Sequence, residues 1–257
     1  MVRMTDSAPA RPDRMRRRIW RHPAVMALAA ALAIVAASFL PTLWHMHSVQ
    51  RTGQSPASRD APWDADITAD GAVRALGLRL PGSTLADAQA LWGDGLQVAL
   101  IVSGDGPPAL EASVEQARPG GVAGRLLLTA QASASQLQRY RDGAVKDEQT
   151  SPKTWRLSLR SEDLADALRA PLSSIGFIPQ AQLDAALLRR RFGEPREIVV
   201  ESPTREHWLY PERGLGVVLD ADGRELLQFV PPRQFEALLR SPLRQAAPRD
   251  AASAPPG

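Results

Sequence analysis

One short segment in the second half of the chain has apolar residues at helical spacing. Its apolar positions are Leu183, Leu187, Leu188 and Phe192. Asp184 stands where an N-cap is expected, and Gly193 and Pro195 stand where a helix ends. The spacing therefore predicts a short helix with one apolar face, which stops before Gly193.

Four runs rich in apolar and β-branched residues follow this helix. They cover residues 196–202, 206–210, 214–220 and 224–230. Asp222 and Gly223 form a tight-turn pair between the last two runs. Apolar periodicity at residues 231–242 predicts a closing helix. We therefore expect a helix followed by an antiparallel β-meander, which is an α+β arrangement.

The first half of the chain repeats the helix pattern at an offset of 100 residues. The matching positions are Thr84, Ala88, Trp92 and Gly93 for Asp184, Leu188, Phe192 and Gly193. Further strands are predicted at residues 95–103, 109–116, 122–131 and 153–160, and further helices at residues 133–144 and 161–170. The repeat indicates two related modules in one chain.

An uncharged run from Pro23 to Trp44 precedes both modules. As a helix it would rise about 1.5 Å per residue and cross the roughly 30 Å of a bilayer core. The arginines just before it are Arg14, Arg16, Arg17, Arg18 and Arg21. The positive-inside rule then predicts a single-pass protein of the bacterial inner membrane, with a cytoplasmic N-terminus and a periplasmic folded part. A cleaved signal peptide is the alternative.

The predicted fold class is α+β, with an N-terminal transmembrane helix at residues 23–44 followed by two small modules. The modules cover residues 66–170 and 171–245, and each is expected to be a short helix plus an antiparallel β-meander. The remaining segments are a basic cytoplasmic tail at residues 1–22, a flexible linker at 45–65 and a disordered tail at 246–257.

The distribution of charge argues against a nucleic-acid partner. The formal net charge is +3, but residues 1–22 alone carry seven Arg and two Asp. Residues 171–245 carry ten basic and ten acidic residues, whereas a phosphate-binding surface needs an excess of basic side chains on the folded part. The chain has no cysteine, which excludes a disulfide framework and a thiolate metal site.

The helix end, an aromatic strand and an acidic turn follow one another in the second module. The residues are Asp184, Leu188, Phe192, Gly193, Pro195, Trp208, Tyr210, Asp220, Asp222 and Gly223. In this order, residues 183–230 resemble the BamE (SmpA/OmlA) family of small envelope lipoproteins, and residues 82–102 are a weaker copy. The resemblance implies a short helix before a three-stranded antiparallel sheet. It also implies a non-enzymatic scaffold or adaptor in outer-membrane protein assembly, with envelope proteins or lipid headgroups as partners.

The sequence departs from that family in three ways. It has no lipidated cysteine and carries the uncharged run instead, it has two modules, and its first module has additional elements. A specific partner therefore does not carry over from the resemblance.

The candidate partner-binding residues are His207, Trp208, Tyr210, Glu111, Arg189 and Arg190. Strand alternation places Trp208 and Tyr210 on one face and His207 on the other. The alternatives are packing inside the sheet for the aromatic pair, a solvated helix face for the arginines and a solvent-facing position for Glu111. We expect no catalytic residue, cofactor or metal. The alternative functions are an envelope hydrolase that uses Glu111 or His207, and a ligand sensor with a site between the modules.

Overall fold

The computed structural model describes residues 60–104 and 106–246. Its five α-helices are α1 (Leu85–Trp92), α2 (Ala134–Asp142), α3 (Ser161–Ala167), α4 (Ala185–Phe192) and α5 (Ser241–Ala246). A small antiparallel sheet consists of β1 (Asp66–Ile67), β2 (Val73–Ala75) and β3 (Leu78–Leu80). None of these three strands was predicted from the sequence.

Ten further strands form one antiparallel sheet. They are β4 (Gln97–Ser103), β5 (Ala109–Ala117), β6 (Gly124–Ala130), β7 (Lys146–Ser151), β8 (Thr154–Ser158), β9 (Leu172–Pro179), β10 (Glu197–Ser202), β11 (Arg205–Tyr210), β12 (Leu215–Asp220) and β13 (Leu226–Phe229). Their order across the sheet is β10-β11-β12-β13-β9-β6-β5-β4-β8-β7.

The predicted fold class is wrong, although the α+β character is confirmed. The two halves are not separate small modules, since their strands belong to a single ten-stranded sheet. No helix in the described part of the chain is long and apolar enough to cross a membrane. The transmembrane helix predicted at residues 23–44 lies outside the described residues, as do the basic tail and most of the linker and C-terminal tail.

Strand β9 joins the two halves, and it was missed in the sequence. Phe177 lies opposite Leu126 of β6 on one side and opposite Leu227 of β13 on the other. Ile175 is likewise paired on both sides, and Ile175 and Phe177 have no exposed surface. The junction between the halves is therefore a strand ladder rather than a hinge or a cleft.

The two faces of the large sheet are covered differently. Alternate side chains of most strands, such as Leu100, Leu126 and Val217, point into the main core, which also contains residues of α1 and α4. We call this side the helix face and the opposite side the open face. A second, smaller core lies on the open face above β11 and β12; its members are Leu209, Val230, Phe235 and Leu239.

The repeated helix pattern is confirmed in three dimensions. Thr84 Oγ1 accepts a hydrogen bond from the Asp87 amide at 3.3 Å, and Asp184 Oδ1 accepts one from the Leu187 amide at 2.6 Å. Both helices end at a glycine with positive φ, 58° at Gly93 and 83° at Gly193, a conformation that glycine adopts without strain. Each cap therefore fixes where its helix begins and where the following strand starts.

The predicted closing helix at residues 231–242 is a composite of three short helical segments. A 3₁₀ turn at Pro232–Gln234 is followed by a π-helical segment at Glu236–Arg240 and by α5. Phe235 and Leu239 of this segment pack onto the open face. The closing segment thus covers the part of the open face that lies next to β10.

Candidate functional site

Strand β10 forms one end of the large sheet and pairs with β11 on its inner side. Ile198 and Val200 share the helix face by alternation and are 43% and 59% exposed. A bulge between Val200 and Ser202 ends the regular ladder, so the regular edge covers Glu197 to Val200. An edge strand with exposed apolar side chains is suited to pair with another strand.

The opposite end of the sheet is protected against such pairing. Strand β7 carries Lys146, Asp147 and Glu148 in sequence, and all three are exposed. Charged side chains on an edge strand oppose the addition of a further strand. The sheet therefore has one polar edge, at β7, and one apolar edge, at β10.

The internal repeat shows what fits beside β10. Strands β4 and β10 each follow a helix of the repeated pattern, and each pairs on its inner side with the next strand of the chain. The outer edge of β4 is occupied by β8, where Leu157 lies opposite Leu100. Among residues 60–104 and 106–246, no strand takes the corresponding place beside β10. An added antiparallel strand at β10 would resemble the arrangement of the first half, although β8 pairs with residues 100–103, whose counterparts 200–203 include the bulge of β10.

The arginines of α4 do not form one uniform patch. The Arg189 guanidinium lies 4.5 Å from the centre of the Trp208 ring, and its Nε lies 3.1 Å from Glu194 Oε2. Trp208 lies opposite Ile198, so Arg189 borders the helix side of the β10 edge. Arg190 is exposed. The structure thus places Arg189 at the edge and Arg190 in solvent beside it.

Trp208 and Tyr210 are buried within the sheet, at 2% and 4% exposure. Trp208 Nε1 donates a hydrogen bond to Glu206 Oε2 at 2.9 Å, and Tyr210 Oη donates one to the Gly193 carbonyl at 3.2 Å. Burial raises the pKa of Tyr210 to about 12. Buried side chains offer little surface to a partner, which favours the packing alternative for both aromatic residues.

His207 lies on the open face in a chain of charged groups. Its Nε2 is 2.7 Å from Glu201 Oε2, and it is 7% exposed. Arg205 donates to Glu201 Oε1 at 3.3 Å through Nη1 and to Asp220 Oδ2 at 2.8 Å through Nε. The four side chains hold the ends of β10, β11 and β12 together on that face.

Glu111 occupies the position in the first half that His207 occupies in the second. Glu111 lies opposite Ala99, the third residue of β4, and His207 lies opposite Val199, the third residue of β10. The Glu111 side chain is half-buried. Burial raises its pKa from 4.5 to about 7, an effect that the Arg125 guanidinium partly opposes. The equivalence of these two titratable candidates is not evident from the sequence, because the loops before β5 and β11 differ in length.

Because the pKa of Glu111 is raised on folding, the native state holds its proton more tightly than the unfolded chain. We therefore expect the free energy of unfolding to fall as pH rises from about 4.5 to about 7 and to level off above. Glu111→Gln should flatten this dependence and stabilise the protein above pH 7 by roughly 1–3 kcal/mol. Urea denaturation across this pH range measures the effect, with exposed Glu148→Gln as the control. An unchanged pH dependence in Glu111→Gln would show that burial does not perturb this carboxyl.

Comparisons with protein-family models, with curated proteins and with solved structures found no match. The edge residues Ile198 and Val200 were not among the sequence candidates. The signal that could have found them is the β-branched run at 198–200, flanked by acidic residues, in a strand with no predicted outer neighbour.

Proposed function

We propose that this protein is a non-enzymatic adaptor that binds an extended segment of a partner protein as an added strand on β10. The observation that carries the proposal is the contrast between equivalent edges within one chain. The β4 edge is filled by β8, whereas the β10 edge presents exposed Ile198 and Val200. Backbone hydrogen bonds would supply affinity, and the alternating side chains would supply specificity.

The local architecture supports the adaptor role that the sequence resemblance implies. Helix α4 is followed by the antiparallel strands β10, β11 and β12, in the order expected from that resemblance. Membership of the BamE family and the periplasmic location stay predictions from the sequence.

The catalytic alternative has less support from the geometry. His207 Nε2 bonds to Glu201, and Ser202 Oγ lies 3.4 Å from Thr204 Oγ1 rather than beside the imidazole. A nucleophilic hydroxyl would need a base within hydrogen-bond reach. A sensor site in a cleft between the halves also has less support, because the β6–β9 ladder joins them directly.

Replacing the two exposed apolar residues of the edge with lysine should abolish partner binding. We expect peptides selected from a library of extended heptapeptides to bind the native protein, and to lose at least about tenfold in affinity for the Ile198→Lys/Val200→Lys double variant. Fold stability should change by less than about 1 kcal/mol, since both side chains are substantially exposed. Fluorescence anisotropy and urea denaturation measure the two quantities.

The matched control is Val145→Lys, a substitution at an exposed apolar residue just before β7. This variant should bind the selected peptides as the native protein does. Equal binding of the peptides to the double-lysine variant would show that β10 is not the binding edge.

A further inference from the structure

Strand β8 pairs with the outer edge of β4, and β4 corresponds to β10 in the internal repeat. It therefore shows how a strand fits on an edge of this kind. Leu157 lies opposite Leu100 on the helix face, and Trp155 lies opposite Val102 on the same face. Arg156 points to the open face, where its Nη2 donates a hydrogen bond to Gln97 Oε1 at 2.9 Å. The occupant of this edge thus presents an apolar–basic–apolar triplet.

Because the two halves repeat at an offset of 100 residues, each residue of β4 that contacts β8 has a counterpart in β10 or directly after it. Val200 takes the place of Leu100 and remains 59% exposed. Glu197 takes the place of Gln97, and Glu201 takes the place of Ile101, which lies opposite Arg156. A basic side chain at the corresponding position of an added strand would therefore lie near two carboxylates, and Glu201 already bonds to Arg205 at 3.3 Å and to His207 at 2.7 Å.

Glu197 already pairs with cations of its own chain, but one of these pairs is easily exchanged. Arg240 Nε lies 2.8 Å from Glu197 Oε2 and Arg244 Nη2 lies 3.3 Å from Oε1. Arg244 is 60% exposed, and an exposed ion pair contributes little stability. A partner's cation can replace it without leaving a buried charge unpaired.

The same carboxylates disfavour pairing with a second copy of this chain in the register centred on Val199. Antiparallel pairing of two β10 strands about Val199 would place Ile198 opposite Val200, but it would also place Glu197 opposite Glu201. Like charges directly across a strand pair are destabilising. The edge therefore suits a strand with cations at these positions.

We infer that the segment bound at β10 is an extended, antiparallel stretch of a different protein with an apolar–basic–apolar triplet, its basic residue facing Glu197 and Glu201. This inference rests on the proposed strand addition and specifies the chemistry of its partner. The apolar residues of the triplet cover the helix side of the edge, next to Val200.

The probe is a fluorescein-labelled heptapeptide with the sequence of residues 153–159, Lys-Thr-Trp-Arg-Leu-Ser-Leu, added to the full chain. A second peptide carries Arg156→Glu. At low salt the arginine peptide should bind about tenfold more tightly than the glutamate peptide, because attraction to two carboxylates becomes repulsion. At high salt the difference should shrink, since these charges are partly exposed. Ile198→Lys/Val200→Lys should lose both peptides, and Val145→Lys should keep them.

The outcomes separate this inference from the proposed function. Equal affinity of the two peptides, lost together in the double-lysine variant, would overturn the basic-residue requirement and leave strand addition standing. If neither peptide binds while library-selected peptides do, the inferred apolar–basic–apolar triplet is wrong, but strand addition at β10 still stands. Binding that survives in the double-lysine variant would place the peptide elsewhere, for example on the β4 edge in exchange with β8, and would overturn the inference.

Discussion

Phe177→Ala should destabilise both halves of the protein at once. Phe177 has no exposed surface and packs between β6 and β13 in the strand that joins the halves. Removing a buried phenylalanine side chain costs about 3–5 kcal/mol. Because β9 belongs to one continuous sheet, the loss should appear as a single cooperative unfolding transition at a lower urea concentration.

Amide hydrogen exchange measures whether the loss is shared. We expect the slowest amides of β5 and of β11 to lose protection by the same free energy in Phe177→Ala. If the β11 amides lose protection against exchange while the β5 amides keep theirs, the halves fold independently and the shared sheet does not couple them.

Trp208→Ala should reduce stability by about 3–5 kcal/mol rather than remove binding selectively. Trp208 is 2% exposed, stacks beneath the Arg189 guanidinium and donates a hydrogen bond from its indole N–H to Glu206. Trp155→Ala is the matched control, since Trp155 is 39% exposed and its loss should cost less than the loss of Trp208.

Urea denaturation of the two tryptophan variants distinguishes a core residue from a contact residue. The peptide affinity of Trp208→Ala is measured under conditions where the variant is still folded. It should decrease only as far as the pairing of β10 with β11 is disrupted. A variant with native stability and no peptide binding would instead make Trp208 a direct partner contact.

Local signals predicted the helices and most of the strands. The caps at Thr84 and Asp184 and the glycines at 93 and 193 act within one turn of the backbone, so the sequence contains them in full. The burial of Leu188, Phe192 and Val217 also follows from local periodicity and is confirmed. The same periodicity predicts a buried Leu219, which is only partly buried in the structure.

Strand β9 was missed for a physical reason. Its residues from Ile175 onward are buried on both faces, so the strand has no alternation of apolar and polar positions. Ser173, Ser174 and Gly176 also dilute its apolar character. Only the pairing with β6 and β13, which are distant in sequence, makes it the central strand.

The exposed edge at β10 is only weakly indicated by the sequence, for a related reason. Whether a strand lies inside a sheet or at its end depends on which other strands reach it. The run Ile198-Val199-Val200 fits a central strand as well as an edge. The structure leaves it at the end of the sheet, and this position is what exposes Ile198 and Val200.

The central claim is that a partner strand adds to β10, and amide hydrogen exchange with and without bound peptide tests it most directly. We predict that peptide binding slows exchange at alternate amides of β10, because every second backbone group of an edge strand points outward, while exchange in β7 stays unchanged. Slowed exchange confined to β7 or to α4, with β10 unaffected, would contradict the account.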